Sequence, residues 1–170
     1  DNLLLSCESL LEFGTELKFE KQHLDFHYRS RHPFLIDFSN YAFYNQRLKP
    51  LPTNFEYVPI KYIQVNGTFT EHTNEAEAEM VLSIIDKNIN RLPNGEYPTL
   101  GIATFNIAQR NLIKSKILER QKFTKFEEFN SKIQELEENG MFIKNLENIQ
   151  GDERDVIILS TTYGVGKDRK

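Results

Sequence analysis

One cysteine, Cys7, stands among 170 residues, so no internal disulfide framework can hold this fold, which suits a reducing compartment. Long hydrophobic runs are also missing. Nothing approaches the length of a membrane span or reads as a signal peptide, and no membrane partner is expected. No internal repeat or low-complexity tract occurs. Positive charge is not in excess: Lys and Arg total 21 against 25 Asp and Glu, a net charge of -4. That excludes a wholesale basic coat for nucleic acid but leaves room for a local basic groove. A phosphate-cradling G-x-x-x-x-G-K-[ST] loop is absent, because Gly164-Val165-Gly166-Lys167 has neither the length nor the hydroxyl residue. No metal-holding Asp-Glu strand end is found either.

What is present is an ordinary globular composition, 39% hydrophobic and 27% charged, in a chain long enough for one domain with a real core. It begins on Asp1 and ends on Gly166-Lys167-Asp168-Arg169-Lys170, and is expected to be a piece of a longer chain. The stretch Glu147 to Ser160 organises the rest. Val156-Ile157-Ile158-Leu159 is a β-branched apolar run of the kind that forms a strand buried on both faces. Gln150-Gly151-Asp152-Glu153-Arg154-Asp155 before it is a charged loop at the rim of that strand.

Periodicity divides the remainder. Asn2 to Glu12 has helical spacing, ended near Gly14. Leu24 to Tyr28 alternates as a strand. Pro33 suits the first turn of a helix over Phe34 to Asn45, apolar on most sides and therefore expected to be largely buried. Leu48 to Pro59 reads as an irregular connection and Ile60 to Val65 as another strand. Three helices open with capping pairs, Asn74 with Glu77, Asn106 with Gln109, and Thr124 with Glu127, the last ended by Gly140. Strands are expected over Thr99 to Phe105 and Met141 to Ile143. The fold class is α/β: a mainly parallel sheet with helices on both faces.

Ligands on such sheets bind beyond the carboxyl ends of the strands. That rule selects the loops Tyr28 to His32, Thr104 to Gln109, and Asn148 to Glu153. Tyr28 and Arg29 pair a stacking ring with a planar cation that grips phosphate, the equipment for a nucleotide; a surface ion pair is the plain alternative for Arg29. Gly151 allows close backbone approach, and Glu153 could accept from a ribose hydroxyl or simply pair with Arg154 or Lys144.

Tyr28-Arg29-Ser30-Arg31-His32-Pro33 with Phe43-Tyr44-Asn45 and Leu48 resembles motif IV of superfamily 1 helicases. Gly101-Ile102-Ala103-Thr104-Phe105-Asn106 with Gln109 is similar to motif IVa, and Asn148 to Asp155 with Ile157-Ile158-Leu159-Ser160 to motif V. The closest branch is that of the nonsense-mediated-decay and Okazaki-processing helicases. The resemblance runs in order over about residues 8 to 165. It implies a three-layer RecA-like domain, of the P-loop NTPase type, forming an incomplete second motor domain, with motif VI beyond Lys170. By that analogy Tyr28 packs on adenine, Arg29 contacts the γ-phosphate across a cleft, and Gly151 and Glu153 touch the sugar and phosphate edge. Arg29 and Glu153 would be the catalytic pair. Thr104, Asn106 and Asn148 would lie on the groove for single-stranded nucleic acid. The implied cofactor is ATP with Mg²⁺, held mainly by a first RecA-like domain, so residues 1–170 alone are not expected to hydrolyse ATP. The implied partner is single-stranded or tailed duplex nucleic acid, DNA ahead of RNA, although no residue here decides the matter at the 2′-hydroxyl. The location would be the cytoplasm, or the nucleus of a eukaryote.

Other readings stay open at this point. Asp152, Glu153 and Asp155 could be Mg²⁺ ligands of a nuclease, but they are adjacent in sequence and no lysine follows at useful spacing. His23, His27 and His32 lie poorly for zinc, two of them four residues apart along a strand. A RecA-like fold without ATP chemistry could serve as an interaction module, which would have no use for Tyr28, Arg29, Gly151 and Glu153 together.

Overall fold

A capping box decides where the first helix starts. In the computed structural model, which describes residues 7–52 and 56–166, Ser9 Oγ accepts from Glu12 N at 3.1 Å and the Glu12 carboxylate accepts from Glu8 N at 2.7 Å. Helix α1 (Leu10–Glu16) therefore begins later than expected and runs through Gly14. Residues 1–6 of the expected span lie outside the described residues. The left-handed turn falls on Lys18, with φ 61° and Phe19 N donating to Gly14 O, so a lysine does what the glycine was expected to do.

The chain divides into two compact units, Asp1–Ile63 and Gln64–Lys170. In the first, β1 (Phe26–His27) pairs in parallel with β2 (Lys49–Pro50), and α2 (Phe34–Phe43) lies between them in sequence. The expected strand from Leu24 to Tyr28 is thus only two residues long. Helix α2 follows Pro33, whose φ of -52° is already helical. It is not buried as expected: Phe34, Phe38, Tyr41 and Phe43 are all exposed. Ile60 to Val65 forms no strand, because alternation makes a strand only when a neighbour supplies a ladder, and none pairs with it among the described residues.

The second unit holds the core. After β3 (Thr68–Phe69), α3 (Glu75–Asn88) is capped by Asn74, whose side chain accepts from Glu77 N. Next come β4 (Leu100–Thr104), α4 (Ile107–Gln121, capped by Asn106) and a 3₁₀ turn over Thr124–Phe126. Helix α5 (Glu127–Glu138) has Phe126 at its N-cap, so the expected Thr124–Glu127 cap is not made; the 3₁₀ turn has taken Thr124 into its own first position. Gly140, at φ 79°, ends α5: Met141 N donates to Leu136 O at 2.8 Å and Gly140 N to Glu137 O at 2.9 Å. Strands β5 (Phe142–Asn145), β6 (Val156–Ser160) and β7 (Val165–Gly166) complete the unit.

Among the described residues every pair of these strands is parallel. The main sheet has the order β5-β4-β6, while β7 pairs with β3. Alternation sorts the side chains into two faces. Leu100, Ile102 and Ile158 look toward Ala78, Val81, Leu82 and Ile85 of α3, Ile113 and Ile117 of α4, and Phe129, Ile133 and Leu136 of α5, forming one continuous core. On the other face the Phe142 ring lies over Gly101, where an added Cβ would stand 2.5 Å from Phe142 Cζ. Lys144 and Arg154 lie over that ring, each 4.9 Å from its centre. Farther along this face Ile157 and Leu159 are 44% and 56% exposed, so β6 is covered on one side, not on both as its sequence implied.

Candidate functional site

The carboxyl edge of the main sheet ends in a row of polar residues. Thr104 of β4 is in register with Asn145 of β5 and Ser160 of β6, and all three are buried. Thr104 Oγ1 donates to Asn106 O at 2.8 Å, which holds the turn into α4. Asn106 Oδ1 accepts from Gln109 N at 2.8 Å, and its half-buried amide NH₂ takes no partner among the described residues. Asn148, exposed on a 3₁₀ turn (Leu146–Asn148), donates to Asn145 Oδ1 at 2.6 Å. Thr104, Asn106 and Asn148 therefore gather at one edge. With its hydroxyl buried, Thr104 supports the loop, while the two asparagines present amides at the surface.

Beside this row lies a buried network that the sequence marked only as helix caps. Gln109, with no exposed surface, grips the Asn74 backbone at two points: Oε1 accepts from Asn74 N at 2.8 Å and Nε2 donates to Asn74 O at 3.0 Å. Its Nε2 also lies 3.3 Å from Ser160 Oγ, and Asn74 Nδ2 donates to Thr162 O at 3.3 Å. Glu77, expected to reach back to its cap, instead accepts from Thr162 N with both oxygens, at 3.1 and 3.0 Å. Thr162 is fully buried, has φ 71°, and leaves Oγ1 without a partner. Tyr163 N donates to Thr161 O at 2.7 Å, closing a three-residue turn around that positive φ. A β-branched residue held there carries strain of about 1–3 kcal/mol, which the surrounding bonds must outweigh.

The charged loop from 146 to 155 runs from one end of the sheet to the other. It leaves the carboxyl end of β5, and Gly151 turns it at an exposed φ of 87° with open space around it. Lys144 pairs with Asp152 at 2.6 Å. Arg154 donates to Gly140 O at 3.0 and 2.7 Å, just before β5. Asp155 Oδ2 accepts from Thr99 N at 3.1 Å and from Thr99 Oγ1 at 2.7 Å, at the amino end of β4. Glu153 sits between the anchored Asp152 and Arg154, exposed, and its carboxylate makes no bond among the described residues. It does not join the asparagine cluster. The nuclease reading loses its ligands here, since Lys144 and Thr99 engage two of the three carboxylates. No group of three or more His, Cys, Asp or Glu residues able to hold a metal occurs among the described residues.

In the first unit Tyr28 and Arg29 directly follow β1, the ring 77% exposed and the guanidinium exposed without a partner among the described residues. The turn that carries them is fixed by His27, whose Nε2 accepts from Ser30 N at 3.0 Å and lies 2.8 Å from Ser30 Oγ. His32 Nδ1 accepts from Phe34 N at 3.2 Å. These two rings thus have local structural roles in place of zinc.

A cluster of ion pairs joins α3 and α4. Glu79 lies 2.8 Å from Lys116 and 2.7 Å from Arg120, while Lys116 also meets Glu75 at 2.5 Å. The hydrogen bond from Lys116 holds the Glu79 carboxyl below the usual carboxylate range, against the opposing pull of burial and with help from Arg120. For Lys116 burial works downward, but its bonds to Glu75 and Glu79 win and raise it.

A parallel sheet with helical crossovers and a polar carboxyl edge defines an α/β domain of the RecA-like kind. Residues 52–168 match the AAA domain family, and the chain belongs to it. It is similar to the uncharacterized ATP-dependent helicase MG140 homolog of Mycoplasma pneumoniae, 35% identical over 144 residues, which cover 82% of this chain and 13% of that protein. It is also similar to the uncharacterized ATP-dependent helicase MG140 of Mycoplasma genitalium, 32% identical over 143 residues, 82% of this chain and 13% of that one. The match thus spans about an eighth of these curated relatives. No solved structure matches the chain.

Proposed function

We propose that this chain is part of the second motor domain of an ATP-dependent superfamily 1 helicase or translocase, and that it supplies half of an ATP site and part of a single-strand groove. The observation that carries the reading is the row at the carboxyl edge. Asn106 and Asn148 put amides beside a helix N-terminus on a RecA-like sheet, with buried Thr104 and Asn145 holding the turns behind them, in a family whose relatives here are named helicases. Neutral donors of this sort suit strand binding that follows phosphates without reading bases. The strand would be single-stranded or tailed duplex DNA in preference to RNA. Tyr28 and Arg29 of the first unit, and Gly151 and Glu153 of the second, would each offer groups to a nucleotide, with ATP and Mg²⁺ held mainly by a first RecA-like domain. The exposure of all four, and the lack of any partner for the Arg29 and Glu153 side chains among the described residues, fits groups kept for a ligand. Arg29 would stabilise charge on the transferring phosphoryl group, a role worth about 10³–10⁵ in rate where it has been measured in other NTPases.

The test uses the full-length protein. Arg29→Ala should remove nucleic-acid-stimulated ATP hydrolysis, by about a thousandfold or more, while leaving single-strand affinity near that of the wild type. Asn106→Ala should do the reverse, weakening strand binding and leaving the KM for ATP unchanged. Unaltered turnover in the Arg29 variant would take the arginine out of catalysis. A wild-type protein that neither hydrolyses ATP nor binds single strands would hand the fold to the interaction-module reading.

A further inference from the structure

The strained turn at Thr162 has a visible product: it presents the ring of Tyr163. Tyr163 is 61% exposed, yet its ring is not loose, because it packs on Phe69 with centroids 5.4 Å apart at 47°. Phe69 in turn meets His72 edge-on at 6.2 Å and 81°. Both neighbours are fixed by backbone. Phe69 lies in β3, hydrogen-bonded to β7, and His72 sits at φ 63° in the turn closed by the Thr70–Thr73 bridge. Thr162 is pinned through its N–H by Glu77 and through its carbonyl by Asn74. Two stretches distant in sequence, residues 68–77 and 162–166, thus cooperate to hold an aromatic face toward solvent, at a cost in local strain.

We propose that Tyr163, backed by Phe69 and flanked by His72, is a stacking platform for a base of single-stranded nucleic acid. The proposal rests on the groove reading given above and extends it from phosphate contacts to base contacts. The platform is wired to the asparagine edge: Asn106 caps Gln109, Gln109 holds the Asn74 backbone, and Asn74 holds Thr162, next to the tyrosine. The α4 N-terminus has no acidic residue in its first turn, in contrast to α3 with Glu75 and Glu77, so its positive end is open to a phosphate. A sugar-phosphate track along amides with an aromatic ring beside it is the arrangement that binds single strands without sequence preference, since every base has a π-face. The ring plane, not the hydroxyl, does this work.

The experiment measures binding of full-length protein to two labelled strands by fluorescence anisotropy, one an oligothymidylate and the other a matched strand of abasic sugars. The wild type should prefer the strand that carries bases. Tyr163→Ala should lower affinity for oligothymidylate by about 5- to 150-fold, the equivalent of ~1–3 kcal/mol per stacked base, and leave the abasic strand unchanged. Tyr163→Phe should keep the preference, and equal thermal midpoints of both variants would separate the effect from misfolding. If Tyr163→Ala leaves the difference between the two strands as it is in the wild type, the platform is wrong. Should Asn106→Ala still weaken both strands in that case, the groove stands and only the stacking falls. Should the wild type bind neither strand, both fall together.

Discussion

At the scale of single residues, Gln109 does the most with one side chain. Position three of a helix is where a glutamine ordinarily completes a capping box, and the spacing of Asn106 and Gln109 implies such a pair. Its backbone N–H does serve the cap, but its side chain is buried against the backbone of Asn74, 35 residues earlier. Gln109→Leu keeps the volume and leaves the buried Asn74 N–H unpaired, while the Asn74 carbonyl keeps its bond from Ala78 N. A group left unsatisfied costs about 1–3 kcal/mol. The expected outcome is a clear fall in the urea midpoint with an unchanged slope. A variant as stable as the wild type would show that water replaces the amide without loss.

At the scale of elements, α3 and α4 are joined by a buried apolar seam and by the ionic group of Glu75, Glu79, Lys116 and Arg120. Because the folded state holds the Glu79 carboxyl below its usual range, the contribution is complete above the unfolded carboxylate value and is lost as pH falls through the lowered one. Glu79 is largely exposed, so screening limits the effect to about 0.5–1 kcal/mol. Glu79→Gln should flatten the acid limb of stability, followed by urea unfolding between about pH 3 and pH 7. An acid limb identical to the wild type would assign that titration elsewhere. The elements themselves differed in how well they could be read. Helices α3 and α4 have a strong period, a cap and a buried stripe, strand β4 is a short apolar run buried throughout, and each lies close to its expected span. Helix α2 has apolar residues on most sides, which sequence equates with burial, but its aromatic residues face solvent. The Val156 run had the composition of a strand covered twice, and composition cannot count layers. At the carboxyl edge Thr104, Asn106 and Asn148 could be named because they follow strands. Asn145, Ser160 and Thr162 could not, since their roles depend on register and on bonds reaching across as many as 88 residues.

At the scale of the whole molecule the two units are built on different terms. Gln64–Lys170 has a core of fully buried aliphatic side chains, whereas no described residue of Asp1–Ile63 is buried. Among its described residues the first unit has a parallel pair of two-residue strands and two short helices, too little to bury a core. A second asymmetry belongs to β6. It is an edge strand, paired only with β4 among the described residues, and the face carrying Ile157 and Leu159 is open. Such a strand is a template on which another copy can add, and its apolar side chains reward the addition. When purified, the polypeptide should self-associate as its concentration rises, seen as growing light scattering on warming. Leu159→Lys, a gatekeeper charge on the open side, should suppress that scattering without changing the circular dichroism. A strand that this protein exposes to solvent is therefore also its point of weakness in the test tube, and one lysine there should decide whether it stays in solution.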